Sequence, residues 1–154
     1  MKIIFVDVDG VLNCKNTTDT VMGDDGRRYD GIDSDKIQLL KEIIDKTDAY
    51  IILSSTWRLY DTFTEYLEEK LGDYKVRIKG ITPRSKAFTY TYRFREIQNW
   101  FNENDTRDIV NYIILDDIDE EMVETFGDHY FKTDVDIGLT REITDKCIEY
   151  LNKE

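Results

Sequence analysis

The sequence predicts an α/β fold in three layers, with a central parallel sheet and helices on both of its faces. Short apolar runs typical of buried strands alternate along the chain with segments whose apolar residues recur at helical spacing. Acidic or hydroxyl residues follow directly after several of these runs. No repeat or low-complexity linker divides the 154 residues, so we expect a single domain over residues 1–154.

The predicted elements follow this alternation from one end of the chain to the other. The predicted strands span residues 3–6, 50–53, 74–78, 110–115 and 129–131. The predicted helices begin at residue 33 or 34, near residue 60, at residue 95, shortly after residue 117 and at residue 140. Strands separated by helices pair in parallel through right-handed crossovers. We therefore expect the carboxyl ends of the strands to share one edge of the sheet.

The stretch between the first two strands limits any additional structure over the sheet. It holds about 40 residues, and a helix takes up part of them. Residues 10–32 are polar and contain several glycines, which indicates a loop or a small hairpin. The prediction is that no large cap domain is present, and that residues 13–32 form at most a small flap.

Composition narrows the classes of partner. The net charge of −12 disfavours strong non-specific binding to nucleic acid or to an anionic membrane. No apolar run reaches the roughly 20 residues that a membrane-spanning helix needs. The first residues lack the pattern of a signal peptide, and two cysteines make no disulfide framework. These features predict a cytoplasmic protein.

Four carboxylates and two hydroxyls follow three of the predicted strands. They belong to Asp7, Asp9, Ser54, Ser55, Asp116 and Asp117. In a parallel sheet these strand ends converge, and clustered carboxylates repel each other unless a positive charge lies among them. A hard divalent cation satisfies this requirement, and Mg²⁺ is usually held by one or two carboxylates together with water and phosphate oxygens. The pattern therefore predicts a Mg²⁺ site.

Three segments resemble the motifs of the haloacid dehalogenase (HAD) superfamily. Residues 7–12, Asp-Val-Asp-Gly-Val-Leu, are similar to its first motif, residues 51–54 to its second, and residues 113–117 to its fourth. Residues 53–58 and 93–100 further resemble the phosphatase-like domains of phage and bacterial RNA-repair proteins, with Phe94 in place of a glycine frequent in that branch. The resemblance implies a Rossmann-like HAD fold.

The resemblance also implies a mechanism, Mg²⁺-dependent hydrolysis of a phosphomonoester. Asp7 is the expected nucleophile and forms an aspartyl phosphate, which divides a difficult reaction into two steps. Asp9 is the expected general acid and base, and its backbone carbonyl joins Asp7 in binding the metal. Asp116 and Asp117 are expected to complete the metal site, one directly and one through water. Ser54 is expected to bind the phosphoryl group, with Ser55 as the alternative.

The third motif of the superfamily is a lysine or arginine that neutralises charge. This cation and the substrate contacts are assigned by their positions in the sequence. Arg93 aligns with the arginine of the RNA-repair string, while Lys86 and Arg95 are alternatives. The expected substrate contacts, all close to the first two motifs, are Gly10, Asn13, Ser55 and Arg58. Trp57 and Trp100 are interpreted as packing residues and His129 as structural. Asp119, Glu120 and Glu121 are expected in the first turn of a helix.

The sequence leaves the class of substrate undecided. A small phosphorylated molecule and a phosphorylated nucleic-acid end are both compatible with the motifs, and a non-catalytic binding module on the same fold is a third hypothesis. Alternating aromatic residues at positions 88, 90, 92 and 94 would suit base stacking, but packing against the core is the simpler interpretation.

Overall fold

A computed structural model describes residues 1–84 and 92–153 of the chain. Its strands are β1 Lys2–Val6, β2 Thr20–Met22, β3 Arg28–Asp30, β4 Tyr50–Leu53, β5 Ile78–Ile81, β6 Asn111–Asp116 and β7 Tyr130–Lys132. Five of them form one sheet in the order β5-β4-β1-β6-β7, with all neighbours parallel. This sheet confirms the predicted α/β class.

Five α-helices connect and cover the strands in the part of the chain that the structure describes. They are α1 Ser34–Thr47, α2 Asp61–Gly72, α3 Arg93–Glu103, α4 Met122–Phe126 and α5 Arg141–Leu151. Two short 3-10 helices, Thr56–Leu59 and Gly127–His129, precede α2 and β7. The hydroxyl of Thr140 accepts a hydrogen bond from the Ile143 amide and so caps the start of α5.

Alternate residues of the central strands divide the core into two layers of side chains. Ile4 and Val6 of β1 pack with α1, α2 and α5, while Ile3 and Phe5 pack with α3 and α4. Side chains of a strand point alternately to the two faces of a sheet, so a strand covered on both faces is apolar throughout. This explains why β1 appears in the sequence as a continuous apolar run, and it confirms the three-layer arrangement.

Two of the predicted elements differ from the structure. The strand predicted at residues 74–78 begins only at Ile78, because a turn follows α2 and Lys75 adopts a left-handed φ of 60°. Asp119, Glu120 and Glu121 precede α4 instead of forming its first turn. Glu121 has a φ of 46°, and this left-handed backbone prevents the helix from extending towards its amino end. Gly72 indicates where α2 ends, but the charge pattern carried no signal that Lys75 and Glu121 adopt a left-handed backbone.

A small antiparallel hairpin of β2 and β3 lies within residues 13–32, where a flap was expected. Val21 joins the core, and the Tyr66 hydroxyl accepts a hydrogen bond of 3.2 Å from the Ile32 amide. Thr62 of α2 also donates a hydrogen bond to Asp24 at the tip of the hairpin. The hairpin is therefore packed along α2, and its role as a flap stays a prediction.

Several remaining predictions concern side chains outside the sheet. His129 lies in a 3-10 helix instead of a strand, and its ring stacks on Tyr112 with 3.9 Å between centroids, which fits a structural role. Phe94 is buried in the core, and Tyr92 stacks on it with half of its surface exposed. Lys86, Phe88 and Tyr90 lie outside the described residues. Among the helices that are described, none has the length and apolarity needed to span a membrane.

Candidate active site

Asp7 occupies the centre of the carboxyl edge of the sheet. It follows the last residue of β1, and its amide donates a hydrogen bond of 2.9 Å to the carbonyl of Leu115 in β6. On the other side, the Ser54 amide donates 3.0 Å to the carbonyl of Val6. The main chain of the sheet therefore places Asp7 between Ser54 and Asp116, as the parallel arrangement predicted.

Asp7, Asp116 and Asp117 form what we call the carboxylate cluster. One carboxylate oxygen from each lies within 4.8 Å of the other two. Asp116 is fully buried, and its Oδ1 accepts hydrogen bonds from the amides of Asp117 at 2.8 Å and Ile118 at 3.3 Å. The convergence of two separate strand ends expected from the sequence is thus present in the structure.

Arg93, the first residue of α3, supplies positive charge to this cluster. Its Nη1 lies 2.5 Å from Oδ2 of Asp116 and 3.2 Å from Oδ1 of Asp7. The guanidinium can balance only one of the three carboxylates, so the cluster retains excess negative charge. This set of hard oxygen ligands fits a divalent cation such as Mg²⁺.

The ionisation of the cluster reflects this crowding. Burial, together with the charge of Asp7, raises the pKa of Asp116 well above its ordinary value, and the same two causes raise the pKa of Asp117. Burial acts to lower the pKa of Arg93, but Asp7, Asp116 and Glu96 outweigh it and raise that pKa. Arg93 therefore provides a permanent positive charge beside the cluster.

Gly10 allows Asp117 to approach the first motif. Its φ is 79°, and a Cβ atom at this position would collide with the Asp117 carboxylate. The Gly10 carbonyl accepts a hydrogen bond of 2.6 Å from Thr133, which follows β7. The substrate contact by Gly10 stays a prediction, and the missing side chain at this position leaves room for the Asp117 carboxylate.

The two serines after β4 have different surroundings. The hydroxyl of Ser54 is buried and has no hydrogen-bond partner among the described residues. The nearby Thr82 hydroxyl is likewise buried without a partner. The hydroxyl of Ser55 accepts 3.1 Å from the Trp57 amide and caps the 3-10 helix. A buried hydroxyl without a partner is costly unless a ligand provides one, which favours Ser54 as the phosphoryl contact.

Asp9 is exposed, in contrast to Asp7, and two donors orient its carboxylate. The Asn13 amide donates 2.9 Å to Oδ1, and the Trp57 indole N–H donates 3.1 Å to Oδ2. Asn13 also accepts 2.9 Å from the Gly10 amide and donates 3.0 Å to the Gly31 carbonyl. The hydrogen bonds of Asn13 therefore position Asp9 and the hairpin. Trp57 was interpreted as a packing residue, so its contact with Asp9 was missed.

Arg58 lies behind the site with its side chain only 1% exposed. Its guanidinium donates to the carbonyls of Ser55 at 2.8 Å and Thr82 at 2.9 Å, and Nη2 lies 2.5 Å from Glu96. Glu96 in turn lies 3.8 Å from Nε of Arg93. This burial argues against direct substrate contact by Arg58 and indicates that it positions Arg93 through Glu96.

Glu96 was not identified from the sequence. A signal existed, because residues 93 and 96 are three apart and share one face of a helix. Burial raises the pKa of Glu96, and Arg58 opposes the rise.

Of the alternative cations, Arg95 points its guanidinium at the Phe94 ring. Glu120 accepts a 3.4 Å hydrogen bond from the Arg93 amide, and Asp119 pairs with Lys132.

A parallel sheet with an acidic first motif, a buried serine, an arginine and an acidic pair at one edge defines a HAD-like hydrolase site. The family described as the HAD domain in Swiss Army Knife RNA repair proteins matches residues 3–143, and the chain belongs to this family. Comparisons with curated proteins and with solved structures gave no significant match. Family membership indicates a hydrolase of the phosphatase type and confirms the predicted resemblance.

Proposed function

We propose that this protein is a Mg²⁺-dependent phosphomonoester hydrolase that acts through an aspartyl phosphate on Asp7. One observation carries the proposal, namely that carboxylate oxygens of Asp7, Asp116 and Asp117 lie within 4.8 Å of each other. This geometry suits one hard cation shared by the nucleophile and the two acids that follow β6. The backbone carbonyl of Asp9 is the further ligand that we assign to the metal.

The first half-reaction uses the chain's own residues as follows. A carboxylate oxygen of Asp7 attacks phosphorus, the ester P–O bond breaks, and Asp9 donates a proton to the leaving oxygen. Asp7, Asp116 and Asp117 would hold Mg²⁺, whose positive charge would offset the repulsion between Asp7 and the phosphoryl group. Arg93, which contacts Asp7, and the Ser54 hydroxyl, which is buried without a partner at the neighbouring strand end, are the groups that we assign to the phosphoryl oxygens.

The second half-reaction reverses the proton transfer. Asp9, now a carboxylate, accepts a proton from water as the water oxygen attacks phosphorus. The bond between Asp7 and phosphorus breaks, and phosphate leaves. The hydrogen bonds from Asn13 and Trp57 leave the Asp9 carboxylate exposed but oriented, which suits a group that meets both a leaving group and water.

A second candidate is more specific, the removal of phosphate from a nucleic-acid end. The family description names RNA repair proteins, and this favours a phosphorylated nucleic-acid end over an unrelated metabolite. The net charge of −12 gives no general attraction to a polyanion, so any such substrate must be recognised locally at its end.

The nucleophile assignment is tested with Asp7→Asn. We expect this change to lower Mg²⁺-dependent release of phosphate from p-nitrophenyl phosphate by about 10³-fold or more, because the amide is a poor nucleophile. Steady-state kinetics with and without chelator measures the effect, and circular dichroism tests the fold.

Asp119→Asn is the matched control. It removes the same charge from a side chain that is 86% exposed and lies outside the carboxylate cluster. We expect it to keep wild-type activity. Normal turnover by Asp7→Asn would refute the nucleophile, and a folded wild-type protein without Mg²⁺-dependent activity on any phosphomonoester would favour a non-catalytic binding module.

A further inference from the structure

A pocket of about 770 Å³ opens beside Asp9, between the hairpin and the segment that runs from Thr56 into α2. Asp9, Gly10 and Asn13 form its inner end. The volume falls within the usual range for small-molecule sites. Because Asp9 is the proposed donor to the leaving oxygen, this pocket is where the leaving group would lie.

Four aromatic side chains form one side of the pocket, and we call them the aromatic wall: Tyr29, Trp57, Tyr60 and Phe63. Phe63 is central, with ring centroids 5.0 Å from Trp57, 5.3 Å from Tyr29 and 5.9 Å from Tyr60. Tyr60 is 53% exposed and Tyr29 is 41% exposed, so both rings keep surface available to a ligand. An exposed aromatic group of this kind suits a planar ring.

Four acidic residues also line the pocket, and we call them the acidic rim: Asp24, Asp25, Asp30 and Asp136. Among the described residues that line the pocket, Lys15 is the one cation. Carboxylates accept hydrogen bonds from amino and hydroxyl groups but repel phosphates. The pocket therefore differs from the phosphoryl end of the site, where Arg93 supplies positive charge.

We propose that the pocket binds the leaving group of the substrate as a single nucleoside, stacked on the aromatic wall, and that the acidic rim excludes a second phosphate. This inference rests on the proposed function, because it assigns the Asp9 side of that site. The substrate class is then a nucleoside monophosphate whose other hydroxyls are free, in preference to a sugar phosphate. Against the second candidate function above, the same acidic rim disfavours a nucleic-acid end whose chain continues through the pocket.

The two parts of the pocket act on different features of a ligand. A base has flat faces for the aromatic wall, and its amino groups, like the ribose hydroxyls, are donors for the acidic rim. A sugar phosphate offers the hydroxyls without the ring. A nucleoside bisphosphate offers the ring but brings a second dianion close to four aspartates.

Nucleoside binding can be measured without catalysis. The chain has two tryptophans, Trp57 in the aromatic wall and Trp100 in the core on the α3 face of the sheet. Titration of the ¹⁵N-labelled protein with adenosine should shift the indole resonance of Trp57 and leave that of Trp100 unchanged. Ribose should produce no such shift. An unmoved Trp57 resonance, or equal shifts of both indoles, would overturn the proposal.

The contribution of stacking is measured with Tyr60→Ala. We expect kcat/KM for the better of adenosine 5′- and 3′-monophosphate to fall about tenfold, the typical effect of losing one base–aromatic contact, with little change for ribose 5-phosphate. Tyr60→Phe should retain activity. Tyr50→Ala is the matched control, because Tyr50 is 46% exposed but starts β4 and does not line the pocket.

The acidic rim is tested with Asp136→Asn, which removes one charge without breaking a hydrogen bond between the hairpin and α2. Wild-type protein should have a higher kcat/KM for a nucleoside monophosphate than for adenosine 3′,5′-bisphosphate. In this variant the ratio of the two kcat/KM values should fall about threefold. Equal use of both substrates by wild-type protein would overturn the exclusion of a second phosphate.

The outcomes separate this inference from the proposed function. Suppose that ribose 5-phosphate is hydrolysed as efficiently as the nucleotides and that Tyr60→Ala slows both reactions equally. The proposed phosphatase activity then stands, and the proposed nucleoside pocket fails. If no phosphomonoester is hydrolysed while adenosine still shifts Trp57, the proposed function fails and the pocket stands.

Discussion

The two aspartates of the first motif lie two residues apart but in opposite environments. Asp7 is 5% exposed, lies within the carboxylate cluster and contacts Arg93. Asp9 is exposed, has no part in that cluster and is held by two neutral donors, Asn13 and Trp57. The two environments suit the two roles that we propose for this short segment, attack on phosphorus by Asp7 and proton transfer by Asp9.

The two sides also differ in how they are built. The Asp7 side consists of strand ends, where main-chain hydrogen bonds of the sheet set the positions of the carboxylates. The Asp9 side is assembled from a loop, a 3-10 helix and a hairpin that meets α2 through side chains. We therefore expect changes on the Asp7 side to affect chemistry for all substrates, and changes around the pocket to depend on the leaving group.

The largest effect should come from Asp9→Asn, apart from loss of the nucleophile itself. The amide cannot transfer the proton, so we expect formation and breakdown of the aspartyl phosphate to slow by about 10³-fold. Single-turnover and steady-state measurements report the two half-reactions separately. A substrate with a leaving group of low pKa should suffer less in the first step, because it needs little protonation. Normal turnover by this variant would refute the acid/base role.

An intermediate effect is expected from Arg93→Gln. The change removes the cation that contacts Asp7 and Asp116, and we expect kcat to fall by about 10²-fold for every phosphomonoester tested. Arg93→Lys should recover part of the activity, since it restores the charge without the planar guanidinium. The matched control is Arg95→Gln on the same helix, which should be near wild type. Loss with Arg95→Gln and not with Arg93→Gln would reverse the assignment.

The smallest effect should come from Trp57→Phe. Phenylalanine keeps a ring against Phe63 but loses the indole N–H that donates to Asp9, so we expect kcat to fall about fivefold, as for one lost hydrogen bond. KM for ribose 5-phosphate should change little, because that substrate does not use the aromatic wall. Trp100→Phe, on the other face of the sheet, controls for general loosening. An unchanged kcat would show that Asn13 alone orients Asp9.

Much of the Asp7 side could be predicted from the sequence, and the reason is geometric. Parallel strands end at one edge of the sheet. Residues that directly follow the apolar runs ending at positions 6, 53 and 115 must therefore meet there. Arg93 was placed by its resemblance to a family string, and the structure brings it to the same carboxylates. Arg58 was expected to contact the substrate. Nothing in the sequence indicated that its guanidinium is buried against Glu96, 38 residues further along the chain.

The α/β class and the acidic residues that meet at the sheet edge could be predicted without coordinates, because hydrophobic periodicity locates the strands and helices and parallel pairing brings the strand ends to one edge. Three features became apparent from the folded chain: Trp57 reaches Asp9, Glu96 links Arg58 to Arg93, and the hairpin and α2 enclose a pocket. Apart from the Arg93–Glu96 pair, which lies three residues apart on one helix, these contacts join side chains from separate elements. The spacing of those elements along the chain carries no periodic signal, so packing alone sets the contacts.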